Sequence, residues 1–183
     1  MALQAMGYDG LVPRCERGLP VWPGGLLGSI SHTAEYAWAA VVRKQQVAGI
    51  GVDCEGLLAT AVASELWQLV GTAGERDLLS GAFGFTEAVT ILFSAKEAIY
   101  KCLNPVTGWA LDFSDVKLVG FAGGSLQAEV SAERFADLQT LQLDIEFCFL
   151  GNHFFSLCLL PVDSPVAENA FVDPAISGER MPT

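Results

Sequence analysis

The chain is short of positive charge. Among its 183 residues ten are Lys or Arg and 21 are Asp or Glu, for a formal net charge of −11. A field of that sign repels nucleic acid and anionic membrane surfaces. Charged residues of both signs reach only 17%, against 51% hydrophobic, which excludes disorder of the chain as a whole. The length suits one domain or two small ones with a real core. Cysteine is present without a framework. Cys15, Cys54, Cys102, Cys148 and Cys158 are odd in number and hold no CxxC spacing, so reduced thiols, as in a cytoplasm, are expected instead of disulfides or a zinc site. Residues 1–20 lack a basic start followed by an apolar run, so no signal peptide is read. No apolar run is long enough for a membrane span: the greasiest stretch, residues 147–162, is broken by Gly151, Asn152 and His153. Internal repeats and low-complexity tracts are absent.

What is there reads as α+β, with antiparallel sheet and one dominant helix. Residues 1–8 look like the last turns of a helix, and a loop with Pro13, Gly18, Pro20 and Pro23 follows. Strand-prone runs cover 28–33, 36–43 and 47–54, and short helices 64–70 and 75–79. The strongest pattern is a helix over 86–103. Val89, Leu92, Phe93, Ile99, Tyr100 and Leu103 keep core spacing, Thr90, Ser94, Glu97 and Lys101 fall on another face, and Asn104-Pro105 is the expected stop. Runs 116–121 and 125–130 flank Ala122-Gly123-Gly124, and 142–150 and 154–160 flank Gly151-Asn152-His153, which predicts two hairpins. Gln142, Asp144 and Glu146 alternate with Leu143, Ile145 and Phe147, as in a half-buried sheet. Residues 162–183 read as a loose tail.

Three clusters carry candidate chemistry. Asp53 and Glu55 stand two apart at the end of an apolar strand, so both leave one face. Two carboxylates there are either a solvated strand end or a pair that a hard cation holds together. Glu97 supplies a third carboxylate, and Lys101 lies one turn on, reachable by the same ligand or paired to Glu97 as on many surface helices. Lys96 sits in the apolar seam, where a lysine snorkels or meets an anion. His32 closes a strand after Ser29 and Ser31, as a structural histidine or as one that meets phosphate.

Taken in order the clusters are specific: W-P-G-G-L-L-G-S-I-S-H at 22–32, G-V-D-C-E at 51–55 and F-S-A-K-E-A-I-Y-K at 93–101. They resemble the WPxGxxGSxxH, GxDxE and (F/W)SxKExxxK motifs of phosphopantetheinyl transferases of the enterobactin-synthetase and surfactin type, over roughly residues 1–160. The resemblance implies a pseudo-dimer of two similar α/β halves with coenzyme A in the cleft between them. Residues 1–48 would be what remains of the first half, 49–161 the second. It implies that Asp53, Glu55 and Glu97 hold Mg²⁺ and that Ser31, His32, Arg17, Lys96 and Lys101 contact coenzyme A. It also implies that the phosphopantetheine arm passes to a serine of an acyl, peptidyl or aryl carrier protein as 3′,5′-ADP leaves, with Glu97 as base and Lys101 stabilising charge. Siderophore biosynthesis in the cytoplasm is the expected setting. Family members of this type normally carry several dozen further residues, rich in Arg and Lys, ahead of the point where this sequence starts, so a truncated first half is expected. The −11 charge stands against two acidic partners, which local cations and a metal must overcome. A two-metal nuclease would need a basic groove that ten Lys and Arg do not provide. A fragment that folds or docks a carrier without transfer is the alternative function, and the short trimeric holo-carrier synthase type is disfavoured by His32 lying upstream of Asp53 in one chain.

Overall fold

The computed structural model of the chain describes residues 2–15, 18–131 and 140–167. A short helix, α1 (Ala2–Ala5), precedes a hairpin of β1 (Leu26–His32) and β2 (Ala37–Arg43), which forms a two-stranded sheet of its own. β3 (Gly49–Gly56) follows, then α2 (Thr60–Val70), α3 (Ala73–Ser80) and α4 (Phe85–Thr107). A 3₁₀ turn at Phe113–Asp115 leads to β4 (Val116–Ala122), β5 (Ser125–Val130), β6 (Leu141–Leu150) and β7 (His153–Leu160). These strands make a five-stranded antiparallel sheet in the order β3-β7-β6-β5-β4. The fold is α+β, as the sequence predicts. The first and last strands of this unit are thus neighbours, and α4 lies across both.

Packing explains the helix and the sheet together. Ile91, Leu92, Ile99 and Leu103 of α4 are fully buried against Leu126, Ile145, Phe154, Cys158 and Leu160. At about 25 cal/mol per Å² of apolar area, a seam of this kind carries most of the fold's stability. Gly51 sets how close it runs: a Cβ there would stand 1.9 Å from the Ala98 carbonyl oxygen, so only glycine lets β3 lie on α4. The two expected hairpins form. Gly123 and Gly124 both have positive φ, as a type I′ turn requires, and the second loop is Gly151-Asn152 with positive φ at Gly151 alone, as in type II′. Outward-facing Gln142, Asp144 and Glu146 on β6 are exposed and Leu141, Leu143 and Ile145 buried.

Three expectations are corrected. α4 does not stop at Asn104-Pro105 but runs on to Thr107. Pro105 removes only one amide late in the helix. Buried Val106, the bond from Thr107 Oγ1 to the Leu103 carbonyl, and Gly108 in the left-handed conformation hold and close the last turn. Tyr100 is 37% exposed instead of core-facing. Thr90 and Ser94, on the other face that the spacing assigns them, are buried too: that face meets the β3–β7 side, where Thr90 Oγ1 accepts from the Leu58 amide and Ser94 is bonded to Ser156. The tail is anchored at its start, since Ser164 and Val166 are buried and Val166 joins the core. Residues 168–183 lie outside the described residues, as does Arg17.

Candidate active site

Asp53 is in the middle of the site because β3 is buried along most of its length. Its residues from Gly49 to Cys54 are buried, and Asp53 itself is only 2% exposed. A carboxylate so placed needs partners. Oδ1 has two: the Ser31 hydroxyl donates to it at 2.9 Å and Lys101 Nζ at 2.6 Å. Oδ2 is buried and has none among the described residues. β1 supplies Ser31 by a specific route. The Ser29 and Ser31 hydroxyls accept from the amides of Val52 and Cys54, so two serine side chains replace the strand that would otherwise pair with β3. α4 supplies Lys101 and Glu97 from its polar face.

The carboxylates crowd one another. Burial above all, then the charge of Asp53, raises Glu55 to about 7, with Lys101 opposing and Glu97 adding. Glu97 is also raised, by burial first; Lys101 opposes and Asp53 adds. Lys101 is paired to Asp53, not to Glu97 one turn away. Beside Glu97 a cleft of about 590 Å³ opens between α4 and the 113–116 segment, lined among others by Leu69, Tyr100, Leu111 and Phe113.

Lys96 is placed elsewhere. Its Nζ is 2.9 Å from Glu75 Oε1 and donates to the Val70 and Phe113 carbonyls at 2.8 and 3.0 Å, with both charged side chains 1% exposed. Burial lowers its pKa and Glu75 opposes the shift. All three ammonium protons are thereby used inside the protein, so the anion this seam lysine meets is Glu75 rather than a bound phosphate. Glu75 was missed by sequence reasoning. The capping box Thr72-x-x-Glu75 was the available signal, and it forms, but Glu75 Oε1 also accepts from the Leu118 amide. Ser31, expected beside phosphate, is 7% exposed and bonded to Asp53. His32 is exposed at the end of the same strand. Trp22 and Gly28 also gain a reason: the indole lies on the Gly28 backbone, where a Cβ would be 2.5 Å from the ring.

Among the described residues no three His, Cys, Asp or Glu side chains converge as a finished metal shell. The donor set still suits a hard divalent cation: an orphaned buried carboxylate oxygen beside two carboxyls that burial and mutual repulsion push toward the neutral form.

Comparison with known proteins decides the family. The sequence profile of the 4′-phosphopantetheinyl transferase superfamily matches residues 49–158, the stretch from β3 to β7. The chain belongs to the 4′-phosphopantetheinyl transferase superfamily. The profile of the 4′-phosphopantetheinyl transferase N-terminal domain matches residues 1–42. 4′-Phosphopantetheinyl transferase Svp of Streptomyces mobaraensis is 36% identical over 126 residues, covering 64% of this chain and 50% of that protein. Enterobactin synthase component D of Salmonella typhi is 36% identical over 104 residues, 56% of this chain and 43% of that protein. 4′-Phosphopantetheinyl transferase Npt of Nocardia iowensis is 34% identical over 119 residues, 64% and 53% respectively. The chain thus spans about half the length of these relatives. Among the described residues no single helix is long and apolar enough to cross a membrane.

Proposed function

We propose that the chain transfers the 4′-phosphopantetheine group of coenzyme A to a serine of an apo carrier protein, releasing 3′,5′-ADP, with Mg²⁺ required. The observation that carries this is buried Asp53, with one oxygen held by Ser31 and Lys101 and the other left without a partner beside Glu55 and Glu97. Asp53, Glu55 and Glu97 would hold the Mg²⁺. When bound, the ion supplies positive charge to pyrophosphate oxygens and draws the three carboxylates together.

The chain's own groups do the rest. Lys101 is a cation 28% exposed at the edge of the cluster, able to face a phosphate on one side while bonded to Asp53 on the other. It neutralises charge that grows on the leaving group. Ser31 fixes the orientation of Asp53 through a hydrogen bond and through the Cys54 amide. Glu97, whose pKa is raised, is the base that takes the proton of the incoming serine hydroxyl, and the cleft beside it gives the substrate room. His32, exposed next to Ser31, is a further candidate for a phosphate contact.

Intact mass spectrometry of an apo carrier protein incubated with the chain, coenzyme A and Mg²⁺ tests the reading. The expected gain is one phosphopantetheine, abolished by EDTA and by Asp53→Ala. Turnover by Glu97→Gln at the full rate would remove Glu97 as base.

A second reading, docking of a carrier without transfer, is favoured by one observation. Lys96 and Ser31, both expected on coenzyme A, are engaged within the protein. Carrier binding without mass gain would support it.

A further inference from the structure

Hydroxyls along α4 are used in two ways. Thr90 Oγ1 donates to the Thr86 carbonyl at 2.7 Å and Thr107 Oγ1 to the Leu103 carbonyl at 2.9 Å, the local bond usual for such side chains in a helix. Ser94 does otherwise. Its hydroxyl reaches across to β7 and lies 2.9 Å from Ser156 Oγ, while Ser156 Oγ donates to the Ser94 carbonyl at 2.9 Å. A hydroxyl has one proton to give, so with the Ser156 proton on that carbonyl Ser94 is the donor between the two hydroxyls. The pair is a closed clasp between helix and strand, and both side chains are fully buried.

The clasp interrupts an apolar row. The β7 residues that alternate with it, Phe154, Cys158 and Leu160, all belong to the apolar core. Two alanines would fill this space without burying hydroxyls, which cost free energy unless bonded. What a bonded pair adds is direction. Apolar contact tolerates a helix that slides or turns on a sheet, and hydrogen bonds between fixed partners do not. The clasp also stands at the level of the site. Ser156 is the partner of Asp53 in the β3–β7 register, and Glu97 follows Ser94 by one turn of α4. α4 meets β3 itself through Ala98 on Gly51 and through Lys101 on Asp53. Like charges oppose these contacts: Asp53 and Glu55 on β3 and Glu97 on α4 repel one another unless a cation lies among them.

We propose that Ser94 and Ser156 are positioning residues for the cation, their clasp holding α4 in the register at which Glu97 stands with Asp53 and Glu55. This role rests on the transferase reading above, in which those three carboxylates hold Mg²⁺. Neither serine is a ligand in this assignment. They act through the helix, as groups behind metal ligands do, and loss of such groups weakens metal binding about 10- to 100-fold. Ser94→Ala and Ser156→Ala are each expected to weaken Mg²⁺ binding about tenfold, the low end of that range, because the Lys101–Asp53 pair and the Gly51 contact remain.

The melting temperature of the chain, followed as MgCl₂ is raised, reads binding of the metal alone, without turnover. A double variant separates stability from positioning. Ser156→Ala leaves the Ser94 hydroxyl without its partner, whereas Ser94→Ala with Ser156→Ala leaves no hydroxyl unpaired and is expected to regain stability in Mg²⁺-free buffer. The Mg²⁺ concentration at which the melting temperature begins to rise should stay about tenfold higher in the double variant, as in each single one. Val130→Ala truncates the core on β5, two strands away from β7. It should lower the melting temperature and leave that concentration unchanged. A double variant that responds at the unaltered chain's Mg²⁺ concentration, or a shift in Val130→Ala as large as that of the serine variants, overturns the proposal. An unaltered chain with no response to Mg²⁺ removes the metal site itself and this role with it, so the two failures are distinguishable.

Discussion

Gly51 occupies the point of closest approach between β3 and α4, and its lack of a side chain decides where Asp53 stands. A methyl group there would overlap the Ala98 carbonyl and the Cys102 amide, both rigid backbone. Gly51→Ala must therefore push β3 off the helix that carries Glu97 and Lys101. The expected cost is about 3 kcal/mol or more, at the upper end for overpacked cores, read by chemical denaturation. A loss below about 1 kcal/mol would mean that the helix–strand contact yields easily. Two residues beyond Asp53, Glu55 provides a pH signature of the metal-free chain. Burial, and then the charge of Asp53, pushes its carboxyl up to about 7 in the metal-free fold, against an ordinary value of 4.5. Below 4.5 it is protonated in both states and its contribution is complete. Between 4.5 and 7 the unfolded chain releases the proton while the native chain keeps it, so stability falls as pH rises. In EDTA, the melting temperature of the unaltered chain should therefore lose ground to that of Glu55→Gln across this window. Added Mg²⁺, which favours the ionised form, should raise the melting temperature most above pH 7. Parallel pH profiles for the two proteins would show that Glu55 is not held in its neutral form.

Among the elements, α4 does the most, and Lys96 and Glu75 tie it to its surroundings. This buried pair links α4 to α3, and its further bonds reach the end of α2, the 113–115 turn and β4. Removing the cation alone leaves a carboxylate uncompensated in the core. Lys96→Met should cost about 3–5 kcal/mol. Adding Glu75→Gln should restore part of it, because the amide oxygen still accepts from Leu118 without carrying charge. Equal stabilities for the single and double variants would show that the pair is not what holds these elements. The sequence made much of this architecture legible. Alternation along β6, glycine at the turns and the helical period of Val89 to Leu103 are local signals, and each named its element. Pro105 misled because its penalty is local, whereas the burial of Val106 that outweighs it is tertiary. Lys96 was recognisable as a seam lysine, but its partner lies 21 positions earlier on another helix, and no spacing rule joins the two. The same holds for Ser31 and Asp53, which meet only because β1 lies against the edge of β3. Asp53, Glu55, Glu97 and Lys101 were legible because two short motifs carry them.

At the scale of the whole molecule, the proposed function raises the question of how so acidic a chain would meet acidic partners. Ten cations against 21 anions give the chain a repulsive field for a nucleotide phosphate and for an acidic carrier. Attraction to substrate is then confined to the site, where Lys101 and the proposed Mg²⁺ act at short range. Salt separates the two contributions. At 0.1 M ionic strength the Debye length is about 10 Å, so salt removes the long-range repulsion between exposed charges first and weakens the contacts inside the partly buried site much less. If the transferase reading holds, kcat/KM for the carrier, measured at saturating coenzyme A and Mg²⁺, should rise as sodium chloride is increased from low concentration. A positively charged docking surface would give the reverse, a fall with salt. A fall here would mean that a local basic patch governs encounter despite the net charge of −11. Charge reversal at Lys44, which lies outside the site and just past the end of β2, would then serve as the control: it alters the global field slightly and should leave the salt slope unchanged.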